Sequence, residues 1–68
     1  MKTEDKILKV LGQEKRGLHK AEIARRIGVS EPKVNIALAR LEGKGEIELQ
    51  VYGLTKVYYS RGDFDAKN

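Results

Sequence analysis

Apolar residues recur along the chain first with the spacing of helices and then with the spacing of a strand. From residue 46 onward the period is two, and Ile47, Leu49 and Val51 alternate with polar residues. Before that point, apolar residues recur every three or four positions, which is typical of one buried face of an α-helix. This spacing predicts three helices, at about 3–14, 20–27 and 30–42.

Residues that favour helix ends stand at the borders of these three stretches. Thr3 is predicted to cap the first helix, and two acidic residues follow it where a helix N-terminus favours negative charge. Gly28 is predicted to end the second helix, because glycine adopts the left-handed conformation without steric cost. Ser30 is predicted to cap the third helix, with Pro32 in its first turn. A short extended segment at 17–19 joins the first two helices.

The last part of the chain predicts a β-hairpin. Residues 46–52 form its first strand, 53–55 its turn and 56–60 its returning strand. Tyr52 and Tyr58 are expected to share one face and to cover the open side of the hairpin. The order of elements is therefore helix, short strand, helix, helix, hairpin, which is an α+β arrangement.

Length and composition limit the classes of function. A chain of 68 residues is one domain, placed at 1–62, with a flexible polar tail at 63–68. It has no cysteine, no apolar run near the length of a membrane span and no signal-peptide pattern, so a cytoplasmic location is expected. His19 has no metal-ligand partners at suitable spacing, and no catalytic motif is present. The expectation is a protein that is not an enzyme and needs no cofactor or metal.

The net charge of +4 is concentrated in the middle of the chain. Residues 15–44 contain eight basic and three acidic residues, a net charge of +5, whereas the remainder has six basic and seven acidic residues. A local basic surface attracts polyanions, although charge alone fits an ordinary solvated surface equally well.

Small and apolar residues around 20–38 have the spacing of a helix–turn–helix. Ala24 must be small where the third helix crosses, Gly28 lets the chain turn, and Val29 fills the angle between the two helices. At this point IARRIGVSEPKVNIALARLEGKGEIE resembles the core of winged-helix transcription regulators, and the resemblance covers about residues 5–60. It implies a winged helix–turn–helix with three helices and a C-terminal hairpin. In that family the third helix enters the major groove and the hairpin, or wing, contacts the backbone or the minor groove.

Helical geometry predicts which side chains face DNA. Asn35 suits adenine, Lys33 and Arg40 suit guanine or phosphate, and Ile36 suits either a thymine methyl or a protein partner. Arg25 and other cations on the second helix and beside the wing suit phosphates. The residues expected to bind DNA are Lys20, Arg25, Arg26, Ser30, Pro32, Lys33, Asn35, Ile36, Ala39, Arg40, Lys44 and Lys56.

The sequence thus predicts a protein that binds double-stranded DNA and regulates transcription, without a membrane partner or an identifiable small-molecule effector site. A homodimer is expected, because one recognition helix reads only a short half-site. The alternative is a winged-helix module that binds protein within a replication or transcription assembly. A minor alternative follows from PKVNIALARL, which is similar to the recognition helix of Z-DNA-binding domains. Asn35 matches that helix, but Ala39 stands where those domains have tyrosine, and GLTKVYY lacks their wing prolines.

Overall fold

The computed structural model describes residues 2–61. In chain order they form α1 (Thr3–Gln13), α2 (Lys20–Ile27), α3 (Glu31–Gly43), β1 (Ile47–Tyr52) and β2 (Thr55–Ser60). The strands pair antiparallel, and the arrangement confirms the predicted α+β winged helix–turn–helix, with three helices followed by a hairpin. The tail predicted at 63–68 lies outside the described residues.

Every helix and both strands contribute to one hydrophobic core. Helix α3 supplies the largest share, since its apolar stripe of Val34, Ala37, Leu38 and Leu41 is buried. Complete burial of a valine or leucine side chain stabilises a fold by about 1.5–3 kcal/mol. Burial of this stripe is therefore the main interaction that holds α3 in the domain. The buried residues are Ile7, Leu11, Leu18, Ile23, Ala24, Val34, Ala37, Leu38, Leu41, Ile47 and Tyr58.

The turn between α2 and α3 has the predicted form. Gly28 ends α2 in the left-handed conformation, with φ 69° and ψ 35°. The backbone N–H groups of Gly28 and Val29 both donate to the Ala24 carbonyl, at 2.9 and 3.1 Å. The helices are therefore joined by only three residues, and the buried Ala24 permits their close approach.

The segment before α2 joins the hairpin. Leu18 forms an isolated antiparallel bridge with Tyr58, and the N–H of each residue donates to the carbonyl of the other, at 2.9 and 2.8 Å. Gly17, with φ 81°, lets the chain enter this bridge at close range to β2. The predicted short strand is confirmed as this single bridge, which ties the hairpin to the helices.

Two predicted helix caps differ from the structure. Thr3 is the first helical residue, and Lys2 occupies the N-cap position, so the prediction for Thr3 was wrong. Ser30 does occupy the N-cap of α3, in extended conformation, but its hydroxyl makes no capping hydrogen bond. The backbone geometry at that end of α3 is confirmed, whereas the expected side-chain bond is absent there.

The hairpin turns over two residues, because Thr55 already belongs to β2. Gly53 has φ 64° and no non-glycine residue among those described has positive φ, a combination that suits the type II′ turn.

The prediction that Tyr52 and Tyr58 share a face was wrong. Tyr58 pairs with Leu49 on the core side, whereas Tyr52 lies three residues from Leu49 on the same strand and therefore on the opposite face.

Candidate nucleic-acid interface

Helix α3 exposes a side that carries no large charged cluster and few long side chains. Its inner residues are buried, and the residues between them are all exposed, as predicted. Ile36 is 59% exposed, which is unusual for a large aliphatic side chain in a small domain. The exposed residues predicted for this side are Pro32, Lys33, Asn35, Ile36, Ala39 and Arg40.

The arginines of α2 are already held by carboxylates. Arg25 and Arg26 both bond to Glu22, three and four residues earlier on the same helix, and the Arg26 contact is 2.9 Å. Arg26 also lies 3.5 Å from a carboxylate oxygen of Glu14, just after α1. Hydrogen bonds from Arg26 and then Arg25 lower the pKa of Glu22, which keeps this carboxylate ionised. The α2 side is therefore less positive than its two arginines alone suggest.

A second carboxylate reaches α3 from α1. Lys44 Nζ donates to Glu4 Oε1 at 3.0 Å, and Arg40 Nη1 lies 3.8 Å from Glu4 Oε2. The bond from Lys44, with the charges of Lys44 and Arg40, holds the pKa of Glu4 below its ordinary value. Arg40 in the last turn of α3 and Lys44 at its C-cap thus share one carboxylate.

Three of the predicted DNA-contacting lysines have no such carboxylate. Within residues 2–61, Lys20, Lys33 and Lys56 form no ion pair. Lys33 and Lys56 are exposed, and Lys20 is half-buried at the start of α2. Among the predicted DNA-contacting cations, those without an ion pair in the described residues therefore lie in the first turns of α2 and α3 and on the hairpin.

The hairpin is fastened to the start of α2 near one of these lysines. His19 Nδ1 donates to the carbonyl oxygen of Lys56 at 3.0 Å. His19 occupies the N-cap position of α2, but its ring bonds to the hairpin and makes no capping bond to the helix. This bond and the Leu18 bridge hold the base of the wing at two points.

The far end of the wing is exposed and largely apolar. Val51 and Tyr52 are more than half exposed, and Leu54 in the turn is fully exposed. The Tyr52 and Tyr59 hydroxyls are 3.5 Å apart, and this contact is the main cause of the raised pKa of Tyr59. Val51 is thus exposed although it is in phase with Ile47 and Leu49, so the predicted alternation of buried and exposed residues holds only for the first part of β1.

A shallow open depression of about 270 Å³ lies between the start of α1 and α3. Its lining includes Lys33, Ile36 and Arg40, so it belongs to the exposed side of α3.

Within the part of the chain that is described, no group of three or more metal-ligating side chains is present. No helix among those residues is both long enough and apolar enough to cross a membrane.

The twelve predicted interface residues fall into several patches. Most lie on the second and third helices and are exposed, and Lys56 lies across from Val51 on the hairpin. Glu4 and Glu22, which pair with four of these cations, are not among the residues predicted from the sequence. The Glu22 bonds could have been found from their spacing of three and four residues on one helix. No local pattern points to Glu4, which lies 40 residues before Lys44.

Comparison with known proteins agrees with the winged helix–turn–helix fold described above. Residues 2–48 match the family described as winged helix-turn-helix DNA-binding. A solved structure described as giving insight into the DNA recognition and protein interaction domains of HOP2, and its homologous DNA pairing properties, has a similar fold. Its TM-score is 0.75 at 24% identity, over 87% of this chain and 98% of that one. Among curated proteins no significant match was found. Because the family match spans well over half of its length, the chain belongs to the winged helix-turn-helix DNA-binding family.

Proposed function

We propose that this domain binds duplex DNA with α3 in the major groove and regulates transcription by occupying its site. The observation that carries the proposal is the exposed side of α3, which combines small residues with Asn35 and with Lys33, a lysine that forms no ion pair within residues 2–61. A helix with small outward side chains comes close to base edges, and such an approach is what direct readout requires.

The chemistry of this side suits base contacts at its centre. Asn35 can make a bidentate pair with adenine, and Lys33 can donate to guanine or to phosphate. Ile36 offers an apolar contact for a thymine methyl, and Ala39 leaves room for the groove wall. These side chains supply specificity, whereas the surrounding cations supply position.

Phosphate contacts follow from the elements on either side of α3. Lys20 and the two arginines of α2 suit one strand of the backbone, which the second helix of this motif crosses. Lys44 and Lys56 suit the hairpin's approach to the backbone or the minor groove. Serine and proline at the start of α3, Ser30 and Pro32, are exposed and complete the proposed contact set.

A homodimer is part of the proposal. One α3 covers only a short half-site, and two-fold related copies would double the number of base contacts. Regulation by occupancy needs no effector site, and neither a cofactor nor a catalytic role is required. A cytoplasmic protein of this kind would compete with polymerase for its site or recruit polymerase to it.

One observation favours a second function, namely binding of protein in a larger replication or transcription assembly. Ile36 is exposed on the same side of α3, and Glu31 and Glu42 are exposed near the two ends of that helix. Aliphatic exposure with nearby acids suits a protein surface better than a polyanion.

Fluorescence anisotropy with a duplex chosen from a random pool tests the proposal. The variant K33A/N35A should weaken specific binding about 10- to 100-fold, because one base contact is worth about 1–3 kcal/mol and one phosphate contact adds to it. The salt dependence of log K should become shallower by about one. K9A is the matched control, since Lys9 is exposed on α1 and lies roughly 200° around that helix from the buried Ile7.

Two results would contradict DNA binding through α3. One is equal affinity of K33A/N35A and K9A for the selected duplex. The other is an NMR titration at low salt in which duplex DNA leaves the α3 and hairpin amides unshifted. The latter result, with shifts from a protein partner at Ile36, would favour the second function.

A further inference from the structure

Glu4 joins the start of α1 to the end of α3 through two cations. Its carboxylate accepts a 3.0 Å hydrogen bond from Lys44 and lies 3.8 Å from Arg40. The Glu4 side chain is 21% exposed, whereas those of Arg40 and Lys44 are 69% and 57% exposed. The carboxylate is thus partly enclosed, and both cations remain open to solvent.

These contacts are too weak to lock either cation in place. The 3.8 Å separation for Arg40 is longer than a hydrogen bond, and ion pairs between exposed side chains are weak because water screens them. A phosphate oxygen offers a lysine or an arginine the same kind of acceptor as a carboxylate oxygen. Either cation can therefore leave Glu4 when a stronger or closer anion is available.

The two halves of α3 differ in this respect. Lys33, in the first turn, has no carboxylate among residues 2–61, whereas Arg40 and Lys44 share Glu4. Both Arg40 and Lys44 belong to the set proposed to contact DNA. DNA can bind Lys33 directly, but it must compete with Glu4 for the other two.

We propose that Glu4 is an intramolecular competitor of DNA phosphate for Arg40 and Lys44, and that it lowers the affinity of the domain for duplex DNA. The inference rests on the proposed function, since it needs α3 to approach the DNA backbone. The ion pairs with Lys44 and Arg40 also lower the pKa of Glu4, so the carboxylate is charged and competing at neutral pH.

The test compares E4Q with D5N by fluorescence anisotropy on the same duplex. Both variants remove one negative charge from the first turn of α1, but Asp5 is exposed and makes no ion pair among the described residues. E4Q should bind about two- to fivefold more tightly than D5N, which corresponds to the strength of an exposed ion pair. For E4Q, the slope of log K against log salt should be steeper than for D5N by about one, because another cation becomes available for phosphate.

A second comparison shows whether the effect passes through the two cations. In an R40A/K44A background, E4Q and D5N should bind with equal affinity. Thermal unfolding of each variant checks that the fold is retained. A charge-preserving variant, E4D, has a shorter reach and should lie between wild type and E4Q in affinity.

Several results would overturn the competitor role. Equal affinities of E4Q and D5N would show that only overall charge matters. Weaker binding by E4Q would mean that Glu4 positions its cations for DNA instead of withholding them. A persistent E4Q effect in the R40A/K44A background would assign it to another cause. If K33A/N35A binds the duplex as tightly as wild type, the proposed function itself fails, and this inference fails with it.

Discussion

The two sides of α3 carry different kinds of information. On the inner side Val34, Leu38 and Leu41 are at most 1% exposed, and α3 packs against α1, α2 and β1. On the outer side Ile36 is 59% exposed, and its neighbours are small or charged. The inner side stabilises the fold, and the outer side is the one proposed to bind DNA. Changes on the two sides should therefore appear in different measurements.

The outer side is itself divided. Its first turn carries Lys33 without an ion pair among residues 2–61, and its last turns carry Arg40 and Lys44 beside Glu4. Local spacing within α3 determines which residues face outward, whereas a residue from a distant helix determines how available they are. A basic side chain therefore cannot be counted as a free charge from its position alone.

The largest expected effect is a loss of stability on the inner side. L38A should lower the free energy of unfolding by about 3 kcal/mol, because it removes a buried side chain and leaves a cavity. That loss is close to the whole stability expected for a domain of this size, about 3–5 kcal/mol. Urea unfolding followed by circular dichroism measures it.

I36A is the matched control for L38A on the outer side of the same helix. Its free energy of unfolding should change by no more than about 0.5 kcal/mol, as is usual for an exposed substitution. If I36A were as destabilising as L38A, the two sides of α3 would not differ as described. A stable L38A would equally contradict the assignment of Leu38 to the core.

A smaller loss is expected where the hairpin meets the helices. G17A should destabilise the domain by about 2 kcal/mol, since the residue has φ 81° and a Cβ there would lie 2.6 Å from Val57 Cγ1 and 2.8 Å from the Tyr58 carbonyl oxygen. The backbone atom cannot easily move, because that carbonyl accepts the bond from Leu18. The same urea titration measures the change.

G12A is the control for the glycine substitution. Gly12 lies within α1, and a Cβ built there has no neighbour within 4 Å. Alanine should stabilise this position by about 0.5–1 kcal/mol through its higher helix propensity. A G17A variant as stable as G12A would show that the hairpin is not held by the close approach at Gly17.

The inner side was predictable from the sequence, and much of the outer arrangement was not. The three helices, the Gly28 turn and the buried stripe of α3 follow from local periodicity and from glycine's conformational freedom. The error at Thr3 was one of boundary, and the error over Tyr52 and Tyr58 came from not counting strand parity. The Glu4 contact depends on how α1 packs against α3, which no nearby pattern records.

The smallest expected effect is a change in stability at acid pH, and it concerns Glu22, the carboxylate that pairs with the two arginines of α2. Arg26 and Arg25 lower the pKa of Glu22 from its ordinary value of 4.5, so the folded state binds its proton less readily than the unfolded state. The resulting stabilisation is present above the unfolded pKa and is lost as pH falls through the lower, folded pKa. Thermal unfolding between pH 7 and pH 3 should show wild type more stable than E22Q at neutral pH, with the difference shrinking below about pH 4.5. E31Q is the control, because Glu31 is exposed in the first turn of α3 and forms no ion pair among residues 2–61. A difference between wild type and E22Q that stayed constant down to pH 3 would mean that the Glu22 contacts do not contribute to stability through their charge.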